Sequence, residues 1–208
     1  HCYNFDRDEA MPDRLQRNAL NAEEIKRVIR EVRDAGCLFL NFTGGEALLH
    51  PHILDFLALA RDLNMMVLVL TNGTLLTAEK VAQFKVFPNF NGFSVSIYGA
   101  TAETHDAVTQ VKGSFEKTMR GVTLSRDAGL RTNLKYIIMK RNAHETGAAI
   151  QMAESLGLTC QVDMSITGRH DGVMNSMETR VDGGTLKELL RGSLRYLLPT
   201  KPREIDDA

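Results

Sequence analysis

The sequence contains no tryptophan and only three cysteines in 208 residues. Cys2, Cys37 and Cys160 are too few and too far apart for a disulfide scaffold, so we expect a reducing compartment and a cytoplasmic protein. Cys37 and Cys160 lie in strand-like sequence, where a buried structural thiol is the usual case. Cys2 has no apolar pattern around it and therefore needs a different explanation.

The sequence also has no excess of charge of one sign and no long apolar run. Its 25 lysines and arginines against 26 aspartates and glutamates are scattered evenly, which leaves no basic stripe for a phosphate backbone or an anionic bilayer. No apolar run approaches the roughly 20 residues that a membrane span needs, and no signal-peptide pattern is present. We therefore expect neither a nucleic-acid partner nor a membrane partner.

Helical and strand-like patterns alternate along the chain. A capping box at Asn21 and Glu24 precedes an amphipathic run that Gly36 ends. Further helices are predicted from Pro51, after the caps Thr77 and Ser114, over 144–156, and along a leucine stripe over 186–197. Strands are predicted over 38–42, 65–70, 92–98, 132–139 and 159–164.

This alternation requires right-handed crossovers and a parallel sheet, either doubly wound or curled into a barrel. The run "GFSVSIYG" has two faces, with Phe93, Val95 and Ile97 on one and Ser94, Ser96 and Tyr98 on the other. A strand covered by helices on both sides would be apolar on both faces, so the polar face favours a barrel with a wet or ligand-filled lumen. With 208 residues, of which 43% are hydrophobic, the chain is long enough to form one such domain.

The stretch "LFLNFTGGEALLHP" ends a predicted strand with two glycines and a carboxylate. Parallel α/β folds place their chemistry just past the carboxyl ends of strands, where Gly44, Gly45 and Glu46 fall. Glycines let a ligand lie against the backbone, and a carboxylate can accept from a cationic group. A purely structural turn is the alternative, because loop glycines are common and the spacing is not that of a phosphate-binding loop.

Three stretches, "HCYN", "FTGGEALLHP" and "FSVSIYGATAETHD", resemble in order and spacing the core of radical S-adenosylmethionine (SAM) enzymes. The resemblance covers essentially the whole chain and is closest to the SPASM branch, which matures peptides. It implies an α/β fold, a partial (β/α)6-type barrel similar to a TIM barrel, with the first strand and most of the cluster loop missing from this chain. Residues 1–198 would form this core, and residues 199–208 would be a linker towards a C-terminal SPASM-like extension.

The resemblance also implies two cofactors, a 4Fe-4S cluster and S-adenosyl-L-methionine. In the family, three cysteines of a CxxxCxxC loop bind the cluster, and the third usually follows an aromatic residue or a histidine and precedes a tyrosine. Cys2, with His1 before it and Tyr3 after it, matches this third cysteine. The Gly-Gly-Glu element holds the methionine amino group, and Ser96 matches a position that commonly contacts the ribose. The implied metal ligand is Cys2, and the implied cofactor-binding residues are His1, Gly44, Gly45, Glu46 and Ser96.

The implied activity is reductive cleavage of S-adenosylmethionine to a 5'-deoxyadenosyl radical, which abstracts hydrogen from a substrate. We predict an oxidoreductase that modifies a ribosomal peptide and receives electrons from a reductant such as flavodoxin or ferredoxin. One alternative is radical modification of a small molecule, such as a tetrapyrrole or quinone precursor. The other is a non-catalytic barrel that binds a peptide or a nucleotide.

Several further polar residues follow predicted strands or begin predicted helices. Asp163 and Gln161 either line the lumen and touch substrate or are edge-exposed polar residues. Asn142 and Arg169 either reach the cofactor carboxylate or the adenosine, or are solvated loop residues. His50 and His52 have the H-x-H spacing of metal ligands, but they also fall where a helix N-cap and first turn belong. We therefore expect a structural role for the two histidines.

Overall fold

The protein was analysed as a computed structural model, which describes residues 20–168 and 174–197. Predictions that concern His1, Cys2, Arg169 and the 199–208 linker lie outside the described residues. Within the described ranges, no helix combines the length and the apolar character needed to cross a membrane.

Strands and helices alternate as predicted. The strands are β1 (Phe39–Phe42), β2 (Met66–Thr71), β3 (Phe90–Ile97), β4 (Thr132–Ile137) and β5 (Thr159–Asp163). The helices are α1 (Ala22–Asp34), α2 (Ile53–Asp62), α3 (Ala78–Lys85), α4 (Ala102–Thr109), α5 (Ser114–Asp127), α6 (Thr146–Ser155) and α7 (Gly183–Arg191).

The five strands form one parallel sheet in the order β1-β2-β3-β4-β5. A doubly wound sheet reverses its strand order at a switch point, and this sheet has no reversal. Sequential right-handed crossovers place the connecting helices on one side and leave the opposite side concave. The α/β fold and the partial barrel are therefore confirmed, and within the described residues the sheet does not close.

The two faces of β3 differ as its alternating pattern predicts. Phe93, Val95 and Ile97 are completely buried in the core beneath the helices. Ser96 and Tyr98, on the concave face, are only half-buried. Polar side chains can remain in contact with water or a ligand, so no helix needs to cover this face of the sheet.

The helix boundaries are set by local capping. In α1, the Asn21 side chain accepts from the Glu24 N–H at 3.0 Å, and the Glu24 carboxylate accepts from the Asn21 N–H at 2.8 Å, so the predicted capping box is confirmed. The prediction that Ser114 caps α5 is wrong. Gly113 occupies the cap, and the Ser114 hydroxyl instead donates to Asp106 at 2.8 Å.

Candidate cofactor site

A cavity of about 260 Å³ opens at the carboxyl ends of the strands, on the concave side of the sheet. The strand order brings together residues that are more than a hundred positions apart in the sequence, because parallel strands all end at the same edge. Among its lining residues are Gly44, Gly45, Glu46, Ser96, Lys135 and Asp163. The structure thus brings together the predicted cofactor-binding residues that it describes, while their roles stay predictions.

The Glu46 carboxylate joins the loop after β1 to the loop after β2. Its Oε1 accepts from the Thr71 hydroxyl at 2.7 Å and from the Leu48 N–H at 3.0 Å, and its Oε2 accepts from the Asn72 N–H at 2.8 Å. A carboxylate offers about four acceptor positions, so one position on Oε2 is left for a ligand. The sequence predicted the ligand contact but gave no sign of these three internal hydrogen bonds.

The loop after β2 is in turn fixed to α5. The Thr118 hydroxyl donates to the Asn72 carbonyl at 2.8 Å, and the Gly73 N–H donates to the Thr71 hydroxyl at 3.0 Å. Helix α5 approaches so closely that a Cβ at Gly121 would lie 2.3 Å from the Gly73 carbonyl oxygen. Glu46 is therefore held against a rigid support.

The two glycines of the turn after β1 have different reasons to be glycine. Gly44 has φ +155°, a conformation that side chains rarely adopt, so its backbone explains it. Gly45 has no such φ, and a Cβ built on it would meet no described atom within 4 Å. Its bare backbone instead faces the cavity, which leaves space for a ligand to lie against it. Together with the open position on Glu46, this turn fits a ligand that carries an ammonium group.

On the far side of the cavity, Lys135 and Asp163 form an ion pair. The Lys135 Nζ lies 3.1 Å from the Asp163 carboxylate, with 23% and 28% of the two side chains exposed. Burial alone would raise the pKa of Asp163, but the Ser165 N–H and Lys135 outweigh it and hold the pKa below its usual range. Of the two alternatives for Asp163, the structure supports the one in which it lines the lumen, and its carboxylate is ionised at neutral pH.

Asn142 has a role that neither prediction for it anticipated. It is completely buried, and its Oδ1 accepts from the Met139 N–H at 2.7 Å. Its Nδ2 donates to the Tyr98 carbonyl at 3.1 Å and to the Ile137 carbonyl at 2.9 Å. Because every polar atom of its amide is engaged by the backbone, Asn142 is neither a solvated loop residue nor an adenosine ligand.

His105 and Glu145 are two further polar residues that the sequence did not mark. His105 is 2% exposed, and burial lowers its pKa to about 4 despite the nearby Asp106 carboxylate. It is therefore neutral at pH 7, and its Nδ1 accepts from the Tyr98 N–H at 3.2 Å. The Glu145 carboxylate accepts hydrogen bonds from the segment that follows Tyr98.

Within the described ranges, no group of three or more histidines, cysteines or acidic residues is arranged to hold a metal. His52 contacts the Asp55 carboxylate at 2.8 Å and precedes α2, which agrees with the structural role expected for it.

Cys37 and Cys160 are half-buried free thiols, and burial raises the pKa of Cys160 to about 11. Cluster binding by Cys2 lies outside the described residues and stays a prediction.

Comparison with known proteins gives these observations a family context. The family model described as the Radical SAM superfamily matches residues 1–153. The "AdoMet-dependent heme synthase" of Methanosarcina barkeri is 36% identical over 138 residues, which cover 66% of this chain and 39% of that protein. The "Antilisterial bacteriocin subtilosin biosynthesis protein AlbA" of Bacillus subtilis is 29% identical over 157 residues, covering 76% of this chain and 34% of that protein.

A solved structure shares the fold. The crystal structure of Streptococcus suis SuiB bound to precursor peptide SuiA superimposes with a TM-score of 0.70 at 14% identity, over 94% of this chain and 42% of that one. The chain therefore spans less than half of the length of each of these relatives.

Proposed function

The chain belongs to the radical SAM superfamily, and we propose that it binds S-adenosyl-L-methionine in the pocket at the carboxyl ends of its strands and uses it to modify a peptide. The observation that carries this proposal is Gly45. Neither its backbone conformation nor any described neighbour requires a glycine there, yet it faces the cavity beside an open acceptor position on Glu46. A bound amino-acid moiety would account for both features.

The chain's own residues would bind and orient the cofactor. The backbone of Gly44 and Gly45 would hydrogen-bond the methionine ammonium, with Glu46 Oε2 as the charged acceptor. The Ser96 hydroxyl, half-buried on the concave face, would contact the ribose. When bound, the 4Fe-4S cluster and S-adenosylmethionine supply the 5'-deoxyadenosyl radical for hydrogen abstraction.

The remaining parts of the proposal concern residues outside the described ranges. Cys2 would be a cluster ligand, and His1 would lie beside the cofactors. We propose residues 1–198 as the core and residues 199–208 as a linker towards a SPASM-like extension. Flavodoxin or ferredoxin would supply the electron.

A peptide substrate is supported by two of the similar proteins. AlbA is named for bacteriocin biosynthesis, and SuiB has been solved with a precursor peptide. A tetrapyrrole is the second candidate, because the 36% identical relative is a heme synthase. The Lys135–Asp163 pair, which lines the cavity, offers a cation to a carboxylate on either kind of substrate.

The test is anaerobic reconstitution of the full-length protein, followed by addition of S-adenosylmethionine and dithionite. We expect a stoichiometric cluster and formation of 5'-deoxyadenosine, measured by mass spectrometry. Deuterium transfer into 5'-deoxyadenosine from a deuterated precursor peptide supports the peptide proposal, and transfer from a deuterated tetrapyrrole supports the alternative. A fully loaded protein that leaves S-adenosylmethionine intact would contradict both.

A further inference from the structure

Tyr98 follows β3, the central strand of the sheet, and lines the cavity. The two backbone groups of this one residue are held by two side chains from different parts of the fold. Its N–H donates to His105 Nδ1 at 3.2 Å, and its carbonyl accepts from Asn142 Nδ2 at 3.1 Å. His105 and Asn142 are 2% and 0% exposed, so both act from inside the core.

Glu145 already anchors the loop after β3, so anchoring of this loop does not explain the two contacts with Tyr98. The Glu145 carboxylate accepts from the Ala100 N–H at 2.6 Å and from the Thr101 and Thr104 hydroxyls at 2.8 and 2.6 Å. His105 and Asn142 act instead on Tyr98, a residue that lines the cavity.

Both holding residues are themselves held. The Asn142 carbonyl accepts from the buried Tyr136 hydroxyl at 2.7 Å, and its Oδ1 is fixed by the Met139 N–H. The His105 ring packs between two other rings, with centroid distances of 5.6 Å to Tyr98 and 5.5 Å to Phe115. The Tyr98 ring therefore contacts a ring that is itself buried and packed against Phe115.

We propose that Tyr98 is a specificity-determining residue of the pocket, and that His105 and Asn142 are its positioning residues. The proposal rests on the proposed function, since it takes S-adenosylmethionine as the ligand. Tyr98 directly follows the central strand, between the glycine turn after β1 and the Lys135–Asp163 pair. Its ring is thus placed to form the wall against which the cofactor and the substrate meet, and its orientation sets how tightly they fit.

The test uses 3-fluorotyrosine in the reconstituted full-length protein, with fluorine NMR as the readout. This chain has four tyrosines, and the signal that Tyr98→Phe removes is that of Tyr98. S-adenosylmethionine is expected to shift this signal in the otherwise unchanged protein. His105→Phe keeps a ring but removes the acceptor, whereas His105→Asn keeps an acceptor.

We expect His105→Phe to move or broaden the Tyr98 signal even without ligand, and to raise the dissociation constant for S-adenosylmethionine roughly tenfold. His105→Asn should restore most of both properties. Asn142→Ala should act like His105→Phe, with Asn89→Ala as its matched control. Asn89 is also a buried asparagine that donates to two carbonyls, those of Leu57 and Met65, but it precedes β3 at the opposite end.

The possible results separate this inference from the proposed function. If His105→Phe folds with an unchanged Tyr98 signal and unchanged affinity, the positioning role is wrong, whether or not Asn142→Ala folds. If Asn89→Ala disturbs the Tyr98 signal as much as Asn142→Ala does, the effect is general loss of stability and the inference is also overturned. If the unaltered protein with a full cluster binds no S-adenosylmethionine, the proposed function fails, while the ligand-free signal still tests the positioning.

Discussion

Single residues around the pocket combine support of the fold with contact to the cavity. Glu46 is the main example, because its carboxylate already joins two loops while one of its acceptor positions stays open. A substitution at such a residue therefore changes two measurable quantities, the stability of the protein and its affinity for the ligand. The two can be separated only when both are measured on the same variant.

Glu46→Gln should lower both quantities. An amide has one oxygen in place of two, so its NH2 group must face either the Asn72 N–H or the donors on Leu48 and Thr71. We expect the free energy of unfolding to fall by about 1–3 kcal/mol. Binding of S-adenosylmethionine should weaken by roughly 1.5–3 kcal/mol through loss of a charge-assisted hydrogen bond. Urea unfolding and calorimetric titration measure the two effects.

Glu24→Gln is the matched control for this prediction. Glu24 also accepts a backbone hydrogen bond, in the capping box of α1, but it does not line the cavity. It should cost about 1 kcal/mol or less of stability and leave the affinity unchanged. Equal loss of affinity in both variants would show that Glu46 acts only through stability.

Between elements, the clearest electrostatic contact is the capping of α4 by Glu145 from the start of α6. Only 13% of its side chain is exposed. Burial would raise its pKa, but hydrogen bonds from Thr104, Thr101 and Ala100 outweigh it and keep the pKa below its usual value. The ionised carboxylate therefore stabilises the fold above its pKa in the unfolded chain, and this stabilisation is lost as the pH falls through the folded pKa.

Glu145→Gln should therefore destabilise the protein in a pH-dependent way. At neutral pH we expect a loss of about 1–3 kcal/mol in the free energy of unfolding, because donors in the α4 cap lose their partner. The difference between variant and unaltered protein should shrink as the pH falls below about 4.3. Denaturant unfolding across this range is the measurement, and a difference that does not depend on pH would show that the charge of Glu145 has no part in it.

Substitution by alanine should change the stability of the protein in opposite directions at two helical glycines, Gly147 and Gly121. Alanine is the better helix former, and at Gly147 in α6 a Cβ would have ordinary contact with Ser193 at 3.5 Å. Gly147→Ala should therefore stabilise the protein by up to about 1 kcal/mol. At Gly121 the Cβ would strike the Gly73 carbonyl at 2.3 Å, so Gly121→Ala should destabilise it by about 1–3 kcal/mol. Thermal melts of both variants check the signs.

The elements that the sequence predicts are those with a hydrophobic period. All five strands and most helices have such a period, and their predicted bounds lie within a few residues of the observed ones. Helix α4 was not predicted, because its buried positions are Thr104 and His105, which break the apolar pattern. Its first turn depends on Glu145, which lies more than forty positions away. A contact between residues so far apart produces no local sequence pattern from which the helix could be predicted.

At the scale of the whole molecule, topology explains which parts of the site the sequence could predict. Gly44, Glu46, Ser96 and Asp163 lie at or just past strand ends, and parallel strands bring such positions to one edge without any knowledge of side-chain contacts. The contact of Asn142 with Tyr98 could not be predicted, because it depends on how two segments 44 residues apart meet in the core. The polar face of β3 is the feature that favours a barrel over a doubly wound sheet, and the observed strand order agrees with it.

If the turn after β1 binds a cofactor, substitution should have different effects at two glycines that the fold does not require. A Cβ would meet no described atom within 4 Å at either Gly45 or Gly183, and neither has a left-handed φ. Gly45 lines the cavity, whereas Gly183 begins α7. The matched variants are Gly45→Ala and Gly183→Ala.

The decisive measurement is the dissociation constant of S-adenosylmethionine for these two variants in the cluster-loaded full-length protein, with thermal melts as the control for folding. We predict unchanged melting temperatures for both, unchanged affinity for Gly183→Ala, and an affinity lower by about tenfold or more for Gly45→Ala, since the methyl group would occupy the space of the ligand. A folded Gly45→Ala protein with unchanged affinity would show that the turn after β1 is a structural turn and not a cofactor site.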